Sequence, residues 1–305
     1  MDSVIPLLLF VVFIGLMLLL DLFVFHKKSH IIGMKEAAYW SLFWITLSLL
    51  FTLVVYQIRG PEGALSYLTG YIIEKSLSVD NLFVFILIFD YFQTPKRALH
   101  KVLFWGVIGA IVMRGLFISL GIVLISTFHW IIYLFGIILV VSGIKLWFEK
   151  DKKIDPSKNP VLKFIKKFIP MTDDYEGDQF FLIREGRKYA TPLFAVLIMI
   201  ETSDLIFAVD SIPAILAITY DPFIVFTSNI FAILGLRSLY FVLSHLMGLF
   251  HYLHYGLSFI LIFIGAKMLL ADFITIPTII ALSVVFLTLG ISILASLIPF
   301  RYTLK

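Results

Sequence analysis

The chain has 305 residues, of which 61% are hydrophobic and only 14% are charged, and its mean hydropathy is +1.03. A soluble protein of this length could not bury so much apolar surface, so the composition predicts a polytopic membrane protein. The sequence contains no cysteine, which excludes disulfides, thiolate chemistry and cysteine-based metal sites. The net charge of +4 does not indicate nucleic-acid binding, because the basic residues cluster in a few loops.

Nine apolar segments are long enough to cross a bilayer core of about 30 Å, which takes roughly 20 helical residues. They are residues 4–25, 38–58, 65–92, 102–126, 130–148, 192–219, 223–247, 252–272 and 276–298. With the N-terminus outside, the inner loops and the tail hold three, three, ten, zero and two Lys or Arg residues, 18 in total, whereas the outer loops hold only Arg59. This asymmetry predicts an outer N-terminus and an inner C-terminus.

Spans three to five resemble spans six to eight. The matched pairs are Asp80 with Asp210, Glu74 with Asp204, Arg114 with Arg237, and Gly143-Ile-Lys145 with Gly265-Ala-Lys267. Each unit has an odd number of helices, so the two copies must face opposite ways, as in the inverted repeats of many secondary transporters. The predicted fold is all-α, with about nine transmembrane helices and two inverted three-helix repeats. Its predicted units are 1–62 (two helices), 63–148 (repeat 1), 149–191 (cytoplasmic basic loop), 192–272 (repeat 2) and 273–305 (last helix and tail).

The long loop 149–191 is predicted to be cytoplasmic and to contain a short amphipathic helix. From Pro160 to Ile169, apolar residues share one face and lysines lie between them. This spacing suits a basic helix lying on the inner leaflet. A solvated connector explains the same composition, so both interpretations stay open.

Acidic residues in two of the spans are the candidate functional groups. A carboxylate within an apolar span is costly, and is a functional-site hypothesis by default. The first group is Glu74, Asp80 and Asn81, and the second is Glu201, Asp204, Asp210 and Ser211. By helical geometry, Glu74 shares a face with Asn81, and Asp204 shares one with Ser211.

Two of the remaining acids, Asp80 and Asp210, lie about 120° away from those faces. One straight helix would therefore aim its acids in two directions. Pro213 frees the backbone oxygen of Val209, so an unwound or kinked turn is expected near Asp210. This turn would let both acids reach one cavity.

The donor set consists of carboxylates, an amide, a hydroxyl and a carbonyl, which suits Mg²⁺, Ca²⁺ or Mn²⁺. Carboxylates also carry protons, so one set of groups can serve a cation–proton antiporter. Arg114 and Arg237 are each expected to pair with one acid and orient it. Asn229 is either a ligand or a hydrogen-bonding group between helices. No phosphate-binding loop, nucleophile–base pair or zinc-protease motif is present, so the chain is not expected to be an enzyme.

Four stretches resemble the TerC family and, within it, the Alx-like branch. They are Glu74–Asn81, Ala190–Phe194, Glu201–Pro213 and Ser228–Tyr240. The resemblance implies a bacterial inner-membrane protein of metal homeostasis that exports Mn²⁺. It implies metal ligands at Glu74, Asp80, Glu201, Asp204 and Asp210, with Asn81 and Ser211 beside them. The identity of the metal comes from the resemblance alone.

The sequence therefore favours a secondary transporter whose substrate is a divalent cation and whose counter-ion is the proton, with no organic cofactor and no nucleic-acid partner. One alternative is a membrane partner protein that helps metalation or folding of exported proteins through loop 149–191. Another is a tellurite-resistance component, although an acidic core is a poor path for an oxyanion.

Overall fold

A computed structural model describes residues 4–20, 33–128, 130–148, 160–184, 186–246, 252–274 and 276–297. The helices are α1 (Val4–Leu20), α2 (Met34–Tyr91), α3 (Leu99–Thr127), α4 (Ile131–Phe148), α5 (Pro160–Phe168), α6 (Pro192–Leu216), α7 (Pro222–Leu234), α8 (Leu236–Leu246), α9 (Leu253–Leu269) and α10 (Thr278–Leu297). Two strands, β1 (Phe181–Arg184) and β2 (Arg187–Ala190), lie between α5 and α6. The end of the first predicted span, the C-terminal tail and the side chain of Asp80 lie outside the described residues.

Helix α2 contains the second and third predicted spans. Gly60 interrupts it with φ 74° and ψ −172°, a left-handed conformation that glycine adopts at little cost. Pro61 follows directly and has no N–H to donate across the break. Arg59 Nε donates to Asp221 Oδ2 at 2.6 Å, and Asp221 caps the N-terminus of α7 through the N–H of Phe223. The break in α2 is thereby joined to the start of α7.

The seventh predicted span is broken into α7 and α8, which are bent by 41° at Gly235. The last carbonyls of a helix have no partner within it, and they carry a partial negative charge. Lys75 Nζ donates to one of them, the carbonyl oxygen of Ala232, at 3.2 Å. This contact gives a structural reason for a lysine in the middle of an apolar helix.

Helices α4 and α9 pack closely through small residues. A Cβ on Gly265 would lie 2.7 Å from the carbonyl oxygen of Gly136, and one on Gly143 would lie 2.8 Å from that of Ser258. The earlier residue of each helix thus meets the later residue of the other, so the helices are antiparallel. When the two Gly-x-Lys motifs are aligned, Gly143 corresponds to Gly265 and Gly136 corresponds to Ser258. The contact of Gly136 with Gly265 is therefore equivalent to the contact of Ser258 with Gly143. An inverted repeat requires this two-fold pairing.

The described buried apolar side chains form two clusters. One joins α2 and α3 to α7 and α8, and includes the ring contacts of Phe51, Tyr67 and Phe231. The other surrounds the α4–α9 pair and includes the second half of α6. Polar side chains of α2, α3, α6 and α7 are buried between these helices.

The described part of the chain is helical and membrane-like. Five helices are long and apolar enough to cross a membrane, or six if α7 and α8 count as one broken span, and two shorter apolar helices lie at 5–17 and 253–269. The multi-span α-helical class is therefore confirmed. The count of nine spans and the division into units remain predictions.

The segment between α5 and α6 is ordered against the ends of α2 and α3. The predicted short helix is present as α5, but the antiparallel pairing of β1 with β2 was not predicted. Tyr175 Oη donates to the carbonyl oxygen of Phe92 at 2.9 Å, and Lys101 lies 3.4 Å from Asp178. Burial raises the pKa of the Tyr175 hydroxyl above its ordinary value. Two contacts thus join this part of loop 149–191 to the ends of α2 and α3, and both interpretations of the segment from Pro160 to Ile169 stay open.

Candidate cation site

A buried arginine lies at the centre of the polar interior. The side chain of Arg114, on α3, has no exposed surface, and it forms ion pairs with Glu74 of α2 and Asp204 of α6. Its contact with Asp204 is bidentate, with Nη2–Oδ1 at 2.8 Å and Nε–Oδ2 at 3.1 Å. A planar guanidinium suits such paired contacts. One arginine thus joins the acids of both predicted repeats, where it was expected to pair with only one.

An amide and a hydroxyl complete this group. Asn229 Nδ2 donates to Glu74 Oε2 at 3.0 Å. Arg114 Nη1 donates to Asn229 Oδ1 at 3.3 Å and to Ser211 Oγ at 3.4 Å. We call Glu74, Arg114, Asp204, Ser211 and Asn229 the Arg114 cluster. With both acids ionised its formal charge is −1, and its members are all buried.

Glu201 lies next to this cluster but makes a different contact. It is partly buried one turn before Asp204, and its carboxylate packs against the backbone of Gly109 on α3. A Cβ at Gly109 would overlap the carboxylate oxygens. The glycine therefore makes the space in which this acid lies.

A cavity of about 420 Å³ lies beside the cluster. Its walls are Leu77, Asn81, Ser142, Lys145, Leu146, Ile206, Phe207, Val209, Asp210, Ser211 and Leu261. Ser142 Oγ, on α4, donates to Asp210 Oδ1 at 2.6 Å. We call this space the Asp210 cavity. It shares Ser211 with the Arg114 cluster, and it reaches Lys145 and Leu146 in the last turn of α4, where loop 149–191 begins.

Helix α6 presents its acids in two directions without breaking. It runs as an α-helix from Pro192 to Leu216, so the backbone is not unwound near Asp210 and this part of the expectation is wrong. Pro213 removes only one intrahelical hydrogen bond, and the helix ends three residues later. The continuous helix directs Asp204 to Arg114 and Asp210 to the cavity. Val209 lies on the cavity wall.

The structure thus divides the predicted site residues into groups. Glu74, Asp204, Ser211, Asn229 and Arg114 form the cluster, whereas Asn81, Val209, Asp210 and Ser211 line the cavity. Arg237 lines a separate narrow space with Asp204. Asp80 lies on α2, but its side chain is outside the described residues. Within the described residues, no group of three His, Asp or Glu side chains is close enough to hold a metal ion.

Two contributors were missed by sequence reasoning. Ser142 directly precedes the Gly143-Ile-Lys145 motif, so the repeat could have drawn attention to it. Gly109 has no such signal, because a glycine in an apolar helix is common and its partner Glu201 is far along the chain. Both lie on the helices of repeat 1 that face α6.

Comparison with known proteins places the chain in a family. The integral membrane protein TerC family matches residues 59–303. An uncharacterized membrane protein of Myxococcus xanthus is 48% identical over 293 residues, which cover 96% of this chain and 92% of that protein. Alx of Escherichia coli K12, provisionally named a membrane-bound redox modulator, is 47% identical over 287 residues, covering 91% and 89%.

A relative in Salmonella typhi with the same provisional name, Alx, is 47% identical over 294 residues, which cover 93% of this chain and 91% of that protein. No solved structure matches the chain. A family match over most of the chain and relatives of this identity agree with the motifs around Glu74 and Glu201. The chain is a multi-pass integral membrane protein that belongs to the TerC family, in its Alx-like branch.

Proposed function

We propose that the protein is a secondary transporter that exports a divalent cation, Mn²⁺, across the bacterial cytoplasmic membrane. The observation that carries the proposal is the Asp210 cavity. It brings a carboxylate, an amide and two hydroxyls to one partly open space between α2, α4 and α6. These hard oxygen donors are the ligands that Mn²⁺, Mg²⁺ and Ca²⁺ prefer.

The orientation of the chain bears on the direction of transport. The cavity extends from Asp210 to the last turn of α4, at the end where loop 149–191 starts. This loop holds ten of the Lys and Arg residues, so the positive-inside rule puts it in the cytoplasm. The cavity wall at Lys145 would then lie nearest the cytoplasm, and Asp210, 18 residues after the start of α6 at the same loop, would lie deeper, in a protein with its N-terminus outside and its C-terminus inside.

The Arg114 cluster is the proposed second station. Arg114 already neutralises part of the negative charge of Glu74 and Asp204. A cation can therefore bind there only if Arg114 moves away or the protonation of the cluster changes. Ser211 touches both groups and connects them. Alternating access would expose the site to the outside, and outer protons would neutralise the acids after the cation leaves.

The proposal is tested by Mn²⁺ flux into proteoliposomes that contain purified protein, with and without a pH gradient. Wild-type protein is expected to carry Mn²⁺ faster with the gradient. Asp210→Asn and Asp80→Asn are expected to abolish flux. Asp90→Asn is the matched control, because Asp90 is an exposed carboxylate at the end of α2. Folded wild-type protein without Mn²⁺, Ca²⁺ or Mg²⁺ flux would contradict the proposal.

The provisional name of the Alx relatives describes a membrane-bound redox modulator. This chain contains no cysteine, so it has no thiols of its own for such chemistry. A role as a docking partner rests on one observation, the ordered hairpin, on which Ile183 is 79% exposed. Removing residues 181–190 should leave flux intact if that role is separate.

A further inference from the structure

The hydroxyl of Ser78 is buried and makes no hydrogen bond within the described part of the protein. Its residue is 0% exposed, and its Oγ has no partner. An unpaired buried hydroxyl costs about 1–3 kcal/mol, so its presence needs a reason. It lies on α2, within the first acidic stretch.

The hydroxyls nearest to Ser78 on the same helix behave differently, although Ser41 Oγ and Thr52 Oγ1 in the first half of α2 also have no partner. Ser76 Oγ donates to the carbonyl oxygen of Ile72 at 2.6 Å, and Thr69 Oγ1 donates to that of Leu65 at 2.7 Å. These contacts are the usual solution for a serine or threonine inside a helix. The Ser78 hydroxyl lies in the same helix and does not donate to a backbone carbonyl in this way. Its oxygen remains available for another group.

The position of Ser78 connects the two parts of the site. Glu74 lies four residues before it and Asn81 three residues after it, so all three share one face of α2. At 1.5 Å per residue, Ser78 lies about 6 Å along the axis from Glu74 and about 4.5 Å from Asn81. Glu74 belongs to the Arg114 cluster and Asn81 to the cavity wall. Ser78 is thus the polar residue of this face between them.

The second repeat lacks this hydroxyl. Aligning Glu74 with Asp204 and Asn81 with Ser211 puts Ser78 on Ala208, which is buried. The corresponding face of α6 therefore carries a carboxylate, a methyl group and a hydroxyl. An alanine at this place is compatible with the helix, so the serine is not required by packing alone.

We infer that the Ser78 hydroxyl is an oxygen ligand for the cation as it passes between the Asp210 cavity and the acids of the Arg114 cluster. This inference rests on the proposed transport function. A divalent cation leaving Asp210 loses oxygen donors, and a buried hydroxyl without another partner replaces one. Because Ser78 does not line the cavity, it acts on passage and not on the first binding step.

The test is Mn²⁺ flux and thermal unfolding of Ser78→Ala, with Ser76→Ala as the matched control. Ser78→Ala is expected to lower the maximal rate about tenfold, the effect of losing one interaction of ordinary strength. The half-saturating Mn²⁺ concentration should stay within about twofold. The melting temperature should be unchanged or higher, because the variant removes an unsatisfied group. Ser76→Ala should leave the maximal rate, the half-saturating concentration and the melting temperature unchanged.

A second variant tests the ligand role directly. Ser78→Cys replaces a hard oxygen by a soft sulfur, which favours Zn²⁺ over Mn²⁺. The ratio of Zn²⁺ flux to Mn²⁺ flux is expected to rise, which a merely structural residue would not cause. An unchanged maximal rate in Ser78→Ala, or a fall in rate together with the melting temperature, overturns the inference. If the wild-type protein carries no Mn²⁺, the proposed transport function itself is wrong. Failure of the transport function is therefore distinguishable from failure of the role inferred for Ser78.

Discussion

The Arg114 cluster and the Asp210 cavity both use acids of α6, but the surroundings of those acids are opposite. Asp204 is 3% exposed and bound on both oxygens by a guanidinium. Asp210, two turns later, is only partly buried, accepts a hydrogen bond from Ser142 and faces a cavity of about 420 Å³. A carboxylate is thus neutralised by an arginine in the Arg114 cluster and accessible to a cation in the Asp210 cavity.

This difference shows how one helix can hold a site without unwinding. A carboxylate buried in an apolar medium is tolerated when a base and further hydrogen bonds compensate its lost hydration. A carboxylate that faces a polar cavity needs less compensation, and it stays open to a mobile cation. Stability is therefore expected to depend mostly on the cluster, and first binding of the cation mostly on the cavity.

The largest loss of stability is expected from Arg114→Met. It leaves Glu74 and Asp204 buried without their base, which should cost about 3–5 kcal/mol. Thermal unfolding in detergent measures the change. Arg114→Lys should cost less, because it keeps the charge but cannot make the bidentate contact.

Adding Glu74→Gln and Asp204→Asn to Arg114→Met should restore most of the stability, since the buried charges are then gone. If Arg114→Met melts like the wild type, the cluster does not carry the stability assigned to it. The comparison between the two regions would then lose its energetic basis.

An intermediate effect is expected from Gly109→Ala, next to the Arg114 cluster on the side away from the cavity. The added methyl group would overlap the Glu201 carboxylate, which is the end of a flexible side chain, so the cost is expected at the lower end of the about 1–3 kcal/mol of overpacking. Gly290→Ala is the control, because a Cβ there meets nothing within 4 Å. In a Glu201→Ala background the cost of Gly109→Ala should largely vanish. A double-mutant cycle without coupling would show that the two residues do not share this space.

The smallest effect is expected from Ser142→Ala, in the cavity. It removes one hydrogen bond to a partly exposed carboxylate, which should cost about 1 kcal/mol or less. Mn²⁺ flux should stay within about threefold of wild type, because Asp210 remains in place. Unfolding and flux measured on one preparation check both expectations. A loss of stability as large as that of Arg114→Met would contradict the assignment.

Much of this arrangement followed from the sequence because an acid in an apolar helix is a strong signal. Glu74, Asp204 and Asp210 were found in this way, and the helix period predicted that Asp204 and Asp210 point apart. The apolar segments predicted the helices because backbone groups in lipid must be paired within the helix. Basic loops predicted an orientation, which remains a prediction.

Other features depend on contacts between distant parts of the chain. Arg114 could have paired with either repeat, and only the packing of α2, α3 and α6 shows that it holds acids of both. Pro213 predicted an unwound turn, but a proline three residues before the end of the helix removes only one backbone hydrogen bond. Lys75 carries no signal for the carbonyl it meets, because the break at Gly235 is itself a tertiary feature. The hairpin is four residues per strand, too short to be evident.

The most direct test of the central claim is equilibrium binding of Mn²⁺ to purified protein, measured by the electron paramagnetic resonance signal of free Mn²⁺. Wild-type protein, Asp210→Asn and the exposed control Asp90→Asn would be compared at one pH. The account predicts that Asp210→Asn weakens binding by at least about tenfold, or about 1.4 kcal/mol, while Asp90→Asn binds like the wild type. Equal binding by Asp210→Asn and wild type would contradict the claim that the cavity receives the cation.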